Sequence, residues 1–384
     1  MNTQDIWKAP FKIFSLAFFS LVSFIVLLGL FSLFFIGAGL GVGAVMGKNS
    51  FKDFSSVIQE SSYTYISGNK ESKNYLMALS VEGLILGSPS GEMGSAMGWA
   101  GGVTYGYEIQ ETLEQAAEDE NIKGIFLRMQ TPGGTIFGSR AIFDGIKAYQ
   151  QKTGKPVLVY IEGISASGGV MAMVGADAIY ADYGSMIGSI GIIGGMLTYY
   201  DKPMATQGGL FGGGIVTQGG IERTIISAGK GKDLGNPYRK ATQEELDNLQ
   251  AGINIEYENF VNHVAQNRSI DKAVIREKMG AQIFDNKTAQ QYGLIDDTLN
   301  RNASIAKLAE MSQLGEDYQL VSPKRAGKKF LQELLFTLYN NNTSAELQKQ
   351  IIKNDICQTA VKVPLAYHGD ILKLCAECPE NGLY

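Results

Sequence analysis

The chain has 384 residues, of which 45% are hydrophobic and 18% are charged, and its formal net charge is -5. This composition is sufficient for a hydrophobic core and excludes a wholly disordered chain. A net negative charge is not typical of nucleic-acid-binding proteins, so no nucleic-acid partner is expected. Three cysteines are too few for a disulfide framework, and the two histidines, His263 and His368, exclude a His-rich metal site.

Residues 13–47, near the N-terminus, contain no charged side chain. A membrane-spanning helix needs roughly 20 apolar residues, whereas a cleaved signal peptide has a shorter apolar core of about 7–15 residues. We therefore predict a single uncleaved transmembrane anchor at 13–47, preceded by an N-terminal segment at 1–12. Two lysines lie shortly before the anchor and two shortly after it, so the charges favour a cytoplasmic N-terminus only slightly.

Beyond the anchor, residues 48–73 are polar and rich in serine, which is typical of a linker. From 74 to 300, short apolar runs alternate with amphipathic segments, and this alternation predicts an α/β layered fold. Thr242 and Glu245 form a capping-box pattern at the start of a long amphipathic helix. The predicted strands are 77–86, 124–127, 156–161 and 178–181, and the other predicted helices are 108–119, 139–149 and 167–174.

Paired glycines follow two of the predicted strands. In the Thr-Pro-Gly-Gly of 131–134, they allow a turn that exposes backbone N–H groups, which can stabilise an oxyanion. The Ser-Ala-Ser-Gly-Gly of 165–169 places serines at a strand-to-helix turn, where a hydroxyl is free and helix N–H groups are close. Each pattern has a structural alternative, which is a simple turn for the first and helix capping by serine for the second.

A lysine-containing loop, Gly-Lys-Gly-Lys-Asp, follows at 229–233. Because neither histidine lies in a motif, a lysine is the natural base for a serine nucleophile. A lysine amine accepts a proton only when it is neutral, so burial must lower its pKa. The alternative is that both lysines are solvated loop residues.

The sequence also contains Gly-Ser-Ile-Gly at 188–191, between the second and third of these segments. The order of the four segments resembles that in the signal peptide peptidase A family of Ser/Lys proteases, in its short single-repeat form. The resemblance covers about 75–300 and includes the Gly-Leu-Ile-Asp of 293–296. It implies a ClpP/crotonase-like fold and an extracytoplasmic serine endopeptidase without a cofactor. It also implies a homo-oligomer, with active sites that can be completed across subunits, which degrades signal-peptide remnants and other apolar peptides at the lipid bilayer.

By position, the resemblance assigns Ser167 as the nucleophile, because this serine directly precedes the paired glycines. Ser165 is the alternative. The general base is Lys232, which precedes the aspartate of its loop, and Lys230 is the alternative. Ser189 matches the family serine that hydrogen-bonds the lysine amine.

The N–H groups of Gly134 and Gly168 match the oxyanion hole of the family. The chain departs from the family pattern at Val170 and Met171, where aromatic residues are usual. A glycine-rich insertion at 208–220 also lengthens the chain between the nucleophile and the base, which puts the choice of lysine at risk.

Residues 301–384 have no family counterpart, and they are predicted to be a C-terminal extension, largely helical and of unknown role. Cys357, Cys375 and Cys378 lie in this extension. They have three alternative fates: a zinc site completed by His368, a short-range disulfide, or free thiols.

Two other functions fit the same sequence. An acyl-CoA enzyme of the same fold class would use oxyanion N–H groups but needs neither Ser167 nor Lys232. A non-catalytic membrane scaffold would merely keep the fold. Labelling by a fluorophosphonate that depends on Ser167 distinguishes the peptidase from both.

Overall fold

A computed structural model describes residues 63–89, 102–195, 197, 199–201, 225–324 and 365–369. The predicted anchor at 13–47, the glycine-rich insertion, the three cysteines and the predicted tail helices lie outside these residues. No helix within the described ranges is long and apolar enough to cross a membrane.

The described chain alternates between strands and helices. The strands are β1 (Tyr63–Gly68), β2 (Tyr75–Glu82), β3 (Leu84–Leu86), β4 (Val103–Tyr105), β5 (Ile122–Thr131), β6 (Gly133–Thr135), β7 (Val157–Ala166), β8 (Ala178–Ala181), β9 (Met186–Gly188), β10 (Ile283–Phe284), β11 (Asp297–Thr298), β12 (Gln319–Pro323) and β13 (Leu365–Tyr367). The helices are α1 (Gly106–Ala116), α2 (Ile136–Thr153), α3 (Gly168–Met173), α4 (Gln243–Arg268), α5 (Asn286–Gln291) and α6 (Arg301–Met311), with a π-helical turn at Val274–Met279.

Two sheets organise these elements. The larger sheet has the order β1-β12-β2-β5-β7-β8-β11, and β9 branches from β7 and pairs with β10. Its central strands β2, β5, β7 and β8 are parallel to one another. The smaller sheet has the order β13-β6-β3-β4. Because β5 continues into β6 and β7 continues into α3, the carboxyl ends of these central strands meet the smaller sheet.

Helices cover both faces of the larger sheet, as expected for parallel strands with apolar residues on both sides. Side chains of α1, α2, α3 and α4 share one buried cluster with one face of β2, β5 and β7. Side chains of α6 share a second cluster with the opposite face. The α/β layered fold predicted from the sequence is therefore confirmed.

Local sequence signals set the ends of α2 and α4, the two longest helices among the described residues. Thr135 caps α2 by accepting a hydrogen bond from the backbone of Gly138, and α2 ends at Gly154 in a left-handed conformation with φ of 67°. The predicted capping box at Thr242 and Glu245 is present at the start of α4. The sheet extends beyond the predicted domain of 74–300, since β1 and β12 add two strands to one edge.

Candidate active site

Ser167 lies at the turn between β7 and α3, where its backbone has φ of 54° and ψ of -111°. Such a conformation costs about 1–3 kcal/mol for a residue with a side chain, and it is typical of functional sites. The residue is buried; its N–H donates to the Gly188 carbonyl at 2.8 Å and its hydroxyl donates to the Gly191 carbonyl at 3.4 Å. The sharp turn therefore fixes the direction of the hydroxyl.

Ser189 is brought beside Ser167 by strand register. β7 and β9 are parallel, and Ala166 lies opposite Gly188. Ser167 and Ser189, the residues that follow these two, are therefore neighbours. Ser189 also has a positive φ, of 58°, and its N–H donates to the Gln282 carbonyl at 2.6 Å. The two serines that the sequence singled out thus follow adjacent strand ends.

Ser165, the alternative nucleophile, is buried in the core. Its hydroxyl donates to the sulfur of Met173 at 3.3 Å. The register places it opposite Thr131, inside the larger sheet. This arrangement favours Ser167 over Ser165.

β13 crosses the site as an additional strand. It runs antiparallel to β6, with Ala366 opposite Gly134. On its other side, Leu365 and Ile193 exchange two backbone hydrogen bonds, each of 2.9 Å. A short segment of the chain is therefore held along both of its edges.

The carbonyl oxygen of Ala366 lies beside the two glycines assigned to the oxyanion hole. A Cβ added to Gly133 would lie 2.2 Å from this oxygen and 2.7 Å from the backbone nitrogen of Gly168. A Cβ added to Gly168 would lie 3.0 Å from the same oxygen and 3.0 Å from the backbone nitrogen of Gly134. The structure thus brings Gly134 and Gly168 close to one peptide carbonyl, and a side chain at Gly133 would collide with its oxygen.

His368 follows β13 and reaches Ser189. Its Nδ1 lies 3.1 Å from the Ser189 hydroxyl, and its backbone N–H donates to the Pro132 carbonyl at 2.8 Å. A cavity of about 520 Å³ adjoins this pair, lined in part by Ile253 and Tyr257 of α4. Sequence reasoning missed this contact, because it considered His368 only as a partner of the cysteines.

Lys232 forms no hydrogen bond with Ser167 or Ser189 among the described residues. Its side chain is exposed, and within the described residues its amine makes no hydrogen bond or ion pair. Lys230 is also exposed and forms an ion pair with Glu244 at 3.2 Å. The expectation that Lys232 is buried is therefore wrong for the single chain, because its loop turns the side chain toward solvent.

The backbone of the Lys232 loop is nevertheless braced. Arg239 binds Asp233 through two nitrogens, at 2.7 and 2.8 Å, and binds Glu245 through two, at 2.7 and 2.9 Å. These bonds hold the pKa of Glu245 at about 2 and also lower the pKa of Asp233. The loop is thus tied to the first turn of α4 while Lys232 points outward.

A buried histidine supports the helix that follows Ser167. The Nε2 of His263 lies 2.8 Å from the Met171 carbonyl in α3, and its Nδ1 lies 2.6 Å from the guanidinium of Arg140. Burial lowers the pKa of His263 to about 4, so the ring is neutral at pH 7. A neutral ring donates from Nε2 to the carbonyl and accepts from Arg140, which satisfies both nitrogens.

No group of three or more His, Cys, Asp or Glu side chains within the described ranges could hold a metal ion. The zinc alternative for the cysteines lies outside those ranges.

Residues 149–315 match the model of peptidase family S49. A Methanocaldococcus jannaschii protein named as a protease is 32% identical over 202 residues, which are 53% of this chain and 60% of that protein. An Enterococcus faecium protein that carries the name signal peptide peptidase SppA is 30% identical over 48% of this chain and 49% of its own length. Protease 4 of Haemophilus influenzae is 27% identical over 64% of this chain and 36% of its own length.

Residues 149–315 of this chain are therefore similar to peptidase family S49. The resemblance to signal peptide peptidase A is thereby confirmed. The matches cover about three-fifths or less of the length of these relatives. A solved membrane-bound stomatin-specific protease is a more distant match, with 15% identity and a TM-score of 0.37 over 64% of this chain and 86% of its own.

The family segment contains Ser167, Ser189 and Lys232 but not Gly134, which lies before it. β13, which crosses the site, lies after it. In this chain the segment around the candidate nucleophile is thus completed by residues outside the matched range.

Proposed function

We propose that this chain is a membrane-anchored serine endopeptidase that cuts apolar peptides with a Ser167/Lys232 dyad. The observation that carries the proposal is the placement of the Ala366 carbonyl oxygen close to Gly133 and Gly168, with Ala366 opposite Gly134 and beside the turn that holds Ser167. The similarity of residues 149–315 to peptidase family S49 supports the same chemistry.

The substrate is proposed to bind as an extended strand in the place that β13 occupies. A peptide there would pair with β6 on one edge and with Ile193 on the other, so the main chain provides affinity and the side-chain pockets provide specificity. Leu365 and Ala366 are both almost fully buried in this position. The cleft therefore favours small and medium apolar residues, such as those of signal-peptide remnants.

The reaction begins when the Ser167 oxygen attacks the peptide carbonyl and its proton passes to the neutral amine of Lys232. The N–H groups of Gly134 and Gly168 stabilise the negative oxygen that forms. Lys232 then protonates the leaving amine, and water hydrolyses the acyl-enzyme. Ser189 orients the lysine amine through its hydroxyl.

Lys232 is proposed to reach Ser167 in a homo-oligomer. Its exposed side chain on a braced loop suits a contact with a second copy, whose surface would also exclude water from the amine. In the ClpP/crotonase-like fold that the resemblance implies, such assemblies enclose the active sites. The anchor at 13–47 would hold the catalytic domain beside the bilayer on the extracytoplasmic side.

The test is hydrolysis of quenched fluorescent peptides by the detergent-solubilised full chain. We expect cleavage after alanine in an apolar peptide, little cleavage of an acidic peptide, and no activity in Ser167→Ala. Activity that persists in Ser167→Ala would contradict Ser167 as the nucleophile, and absence of activity from the wild type would favour an acyl-CoA enzyme or a scaffold. Protease accessibility in intact cells tests separately on which side of the membrane the catalytic domain lies.

A further inference from the structure

The Ser139 hydroxyl is buried without a hydrogen-bond partner. Ser139 is the fourth residue of α2, and its side chain is fully buried. Among the described residues, its hydroxyl makes no hydrogen bond. A buried polar group without a partner costs free energy, and an apolar group of the same shape would avoid that cost. The local packing therefore gives no reason for a serine here.

The position of this hydroxyl relates it to the oxyanion site. A Cβ added to Gly168 would lie 2.3 Å from the Ser139 oxygen, 3.0 Å from the Ala366 carbonyl oxygen and 3.0 Å from the Gly134 nitrogen. All three atoms thus lie within 3.0 Å of a single point. The unpartnered hydroxyl therefore lies in the same neighbourhood as the Ala366 carbonyl oxygen and the Gly134 nitrogen, without a hydrogen bond to either among the described residues.

The start of α2 lies close to this carbonyl, because Gly134, opposite Ala366, lies two residues before the helix that carries Ser139. Since N–H groups at the start of a long helix favour negative charge, this end of α2 suits an oxygen that becomes negative during a reaction. A hydroxyl can rotate about its C–O bond to follow that oxygen, whereas a backbone N–H cannot.

We propose that Ser139 is a third oxyanion donor, whose hydroxyl bonds the substrate oxygen once the tetrahedral intermediate forms. This inference rests on the proposed function. As the Ser167 oxygen bonds to the carbonyl carbon, the π electron pair of the C=O bond moves onto its oxygen, which becomes a stronger acceptor. Ser139 keeps its proton and donates a hydrogen bond, which is lost when the C=O bond reforms.

A bond made only in the transition state affects kcat rather than KM. Ser139→Ala keeps the Cβ and removes the hydroxyl. We expect kcat to fall by on the order of 10²-fold with KM nearly unchanged. The midpoint of thermal unfolding should stay the same or rise, because an unpartnered buried hydroxyl has been removed. If Ser139 had a purely structural role, Ser139→Ala would instead leave kcat nearly unchanged and lower the midpoint of thermal unfolding.

Ser304→Ala is the matched control. Ser304 also has a fully buried hydroxyl without a partner among the described residues, but it lies in α6 on the opposite face of the larger sheet. This variant should match Ser139→Ala in stability and match the wild type in kcat. A peptide aldehyde with alanine at the reactive position, which forms an oxyanion-like adduct, should bind Ser139→Ala more weakly than Ser304→Ala.

Three results would overturn the inference. They are a kcat of Ser139→Ala within twofold of that of Ser304→Ala, a loss confined to KM, and a clear loss of stability that shows the hydroxyl to be structural. An active wild type with any of these results contradicts only the role of Ser139. An inactive wild type would contradict the proposed function as well.

Discussion

His368 Nδ1 lies 3.1 Å from the hydroxyl of Ser189, although 179 residues separate them in the sequence. This contact follows from β13, whose antiparallel pairing with β6 carries the next residue over the carboxyl end of β9. Residues of this chain therefore occupy the candidate cleft at two points. The Ala366 carbonyl lies at the oxyanion site, and the His368 ring contacts the Ser189 hydroxyl.

The first prediction is that β13 competes with substrate. Leu365→Pro removes the N–H that donates to Ile193 and should loosen the strand. Loss of one such bond, about 1 kcal/mol, corresponds to about a fivefold rise in kcat/KM for an added apolar peptide. Steady-state kinetics of the variant and the wild type measure it.

A synthetic peptide with the sequence of residues 363–369 provides the control. It should inhibit the Leu365→Pro enzyme, whereas the same peptide with proline at that position should not. If kcat/KM is unchanged and neither peptide inhibits, β13 does not occupy the substrate position.

The second prediction concerns the exposed lysines. Lys232→Ala should be inactive, and Lys230→Ala should remain active because that lysine pairs with Glu244 at the surface. If a neighbouring copy supplies the lysine, co-assembly of equal amounts of Ser167→Ala and Lys232→Ala should restore about one quarter of the wild-type activity.

Mixing the same two variants after each has assembled separately is the control, and it should give no recovery. An active Lys232→Ala enzyme, or a loss of activity in Lys230→Ala alone, would show that the insertion at 208–220 misdirected the choice of base. A fully active monomer would contradict assembly across subunits.

Short patterns of neighbouring residues predict some features of the candidate site but not others. The strand-to-helix turn at Ser167 and the capping box at Thr242 depend on neighbouring residues, and both were predictable. The contact of His368 with Ser189 was not, because β13 follows a long interval of chain and its few residues carry no periodic pattern. The exposure of Lys232 depends on a loop geometry that its residue types do not reveal.

The third prediction is that Arg239 positions the Lys232 loop. Arg239→Ala removes the bonds to Asp233 and Glu245, so the loop should lose its fixed geometry. We expect kcat to fall by on the order of tenfold with KM little changed, since a misplaced base slows the chemical step. Arg239→Lys should restore part of the rate.

Arg276→Ala is the comparison variant, because Arg276 forms a similar ion pair with Glu258 away from that loop. It should leave kcat unchanged. Equal losses in both arginine variants would indicate a general effect on stability rather than positioning.

The fourth prediction follows from the buried histidine. The pKa of His263 is about 4 in the folded chain and about 6.5 when unfolded, so the unfolded chain binds more protons between these values. The free energy of unfolding should therefore be constant above about pH 6.5 and fall by at most about 3 kcal/mol as the pH drops toward 4.

Urea unfolding at several pH values measures this dependence. His263→Gln should reduce the slope between pH 4 and 6.5, because glutamine does not titrate and can still donate to the Met171 carbonyl. A slope in the variant equal to that of the wild type would assign the pH dependence to other groups.

The central claim is that Ser167 is the nucleophile, held by a strained turn beside the oxyanion N–H groups. Its most direct test is to react the full chain with a fluorophosphonate and locate the adduct by peptide mass spectrometry. We predict a single adduct on Ser167, its loss in Ser167→Ala and its retention in Ser165→Ala, whose hydroxyl bonds Met173 in the core. An adduct on Ser165 or Ser189, or labelling that persists in Ser167→Ala, would contradict the account.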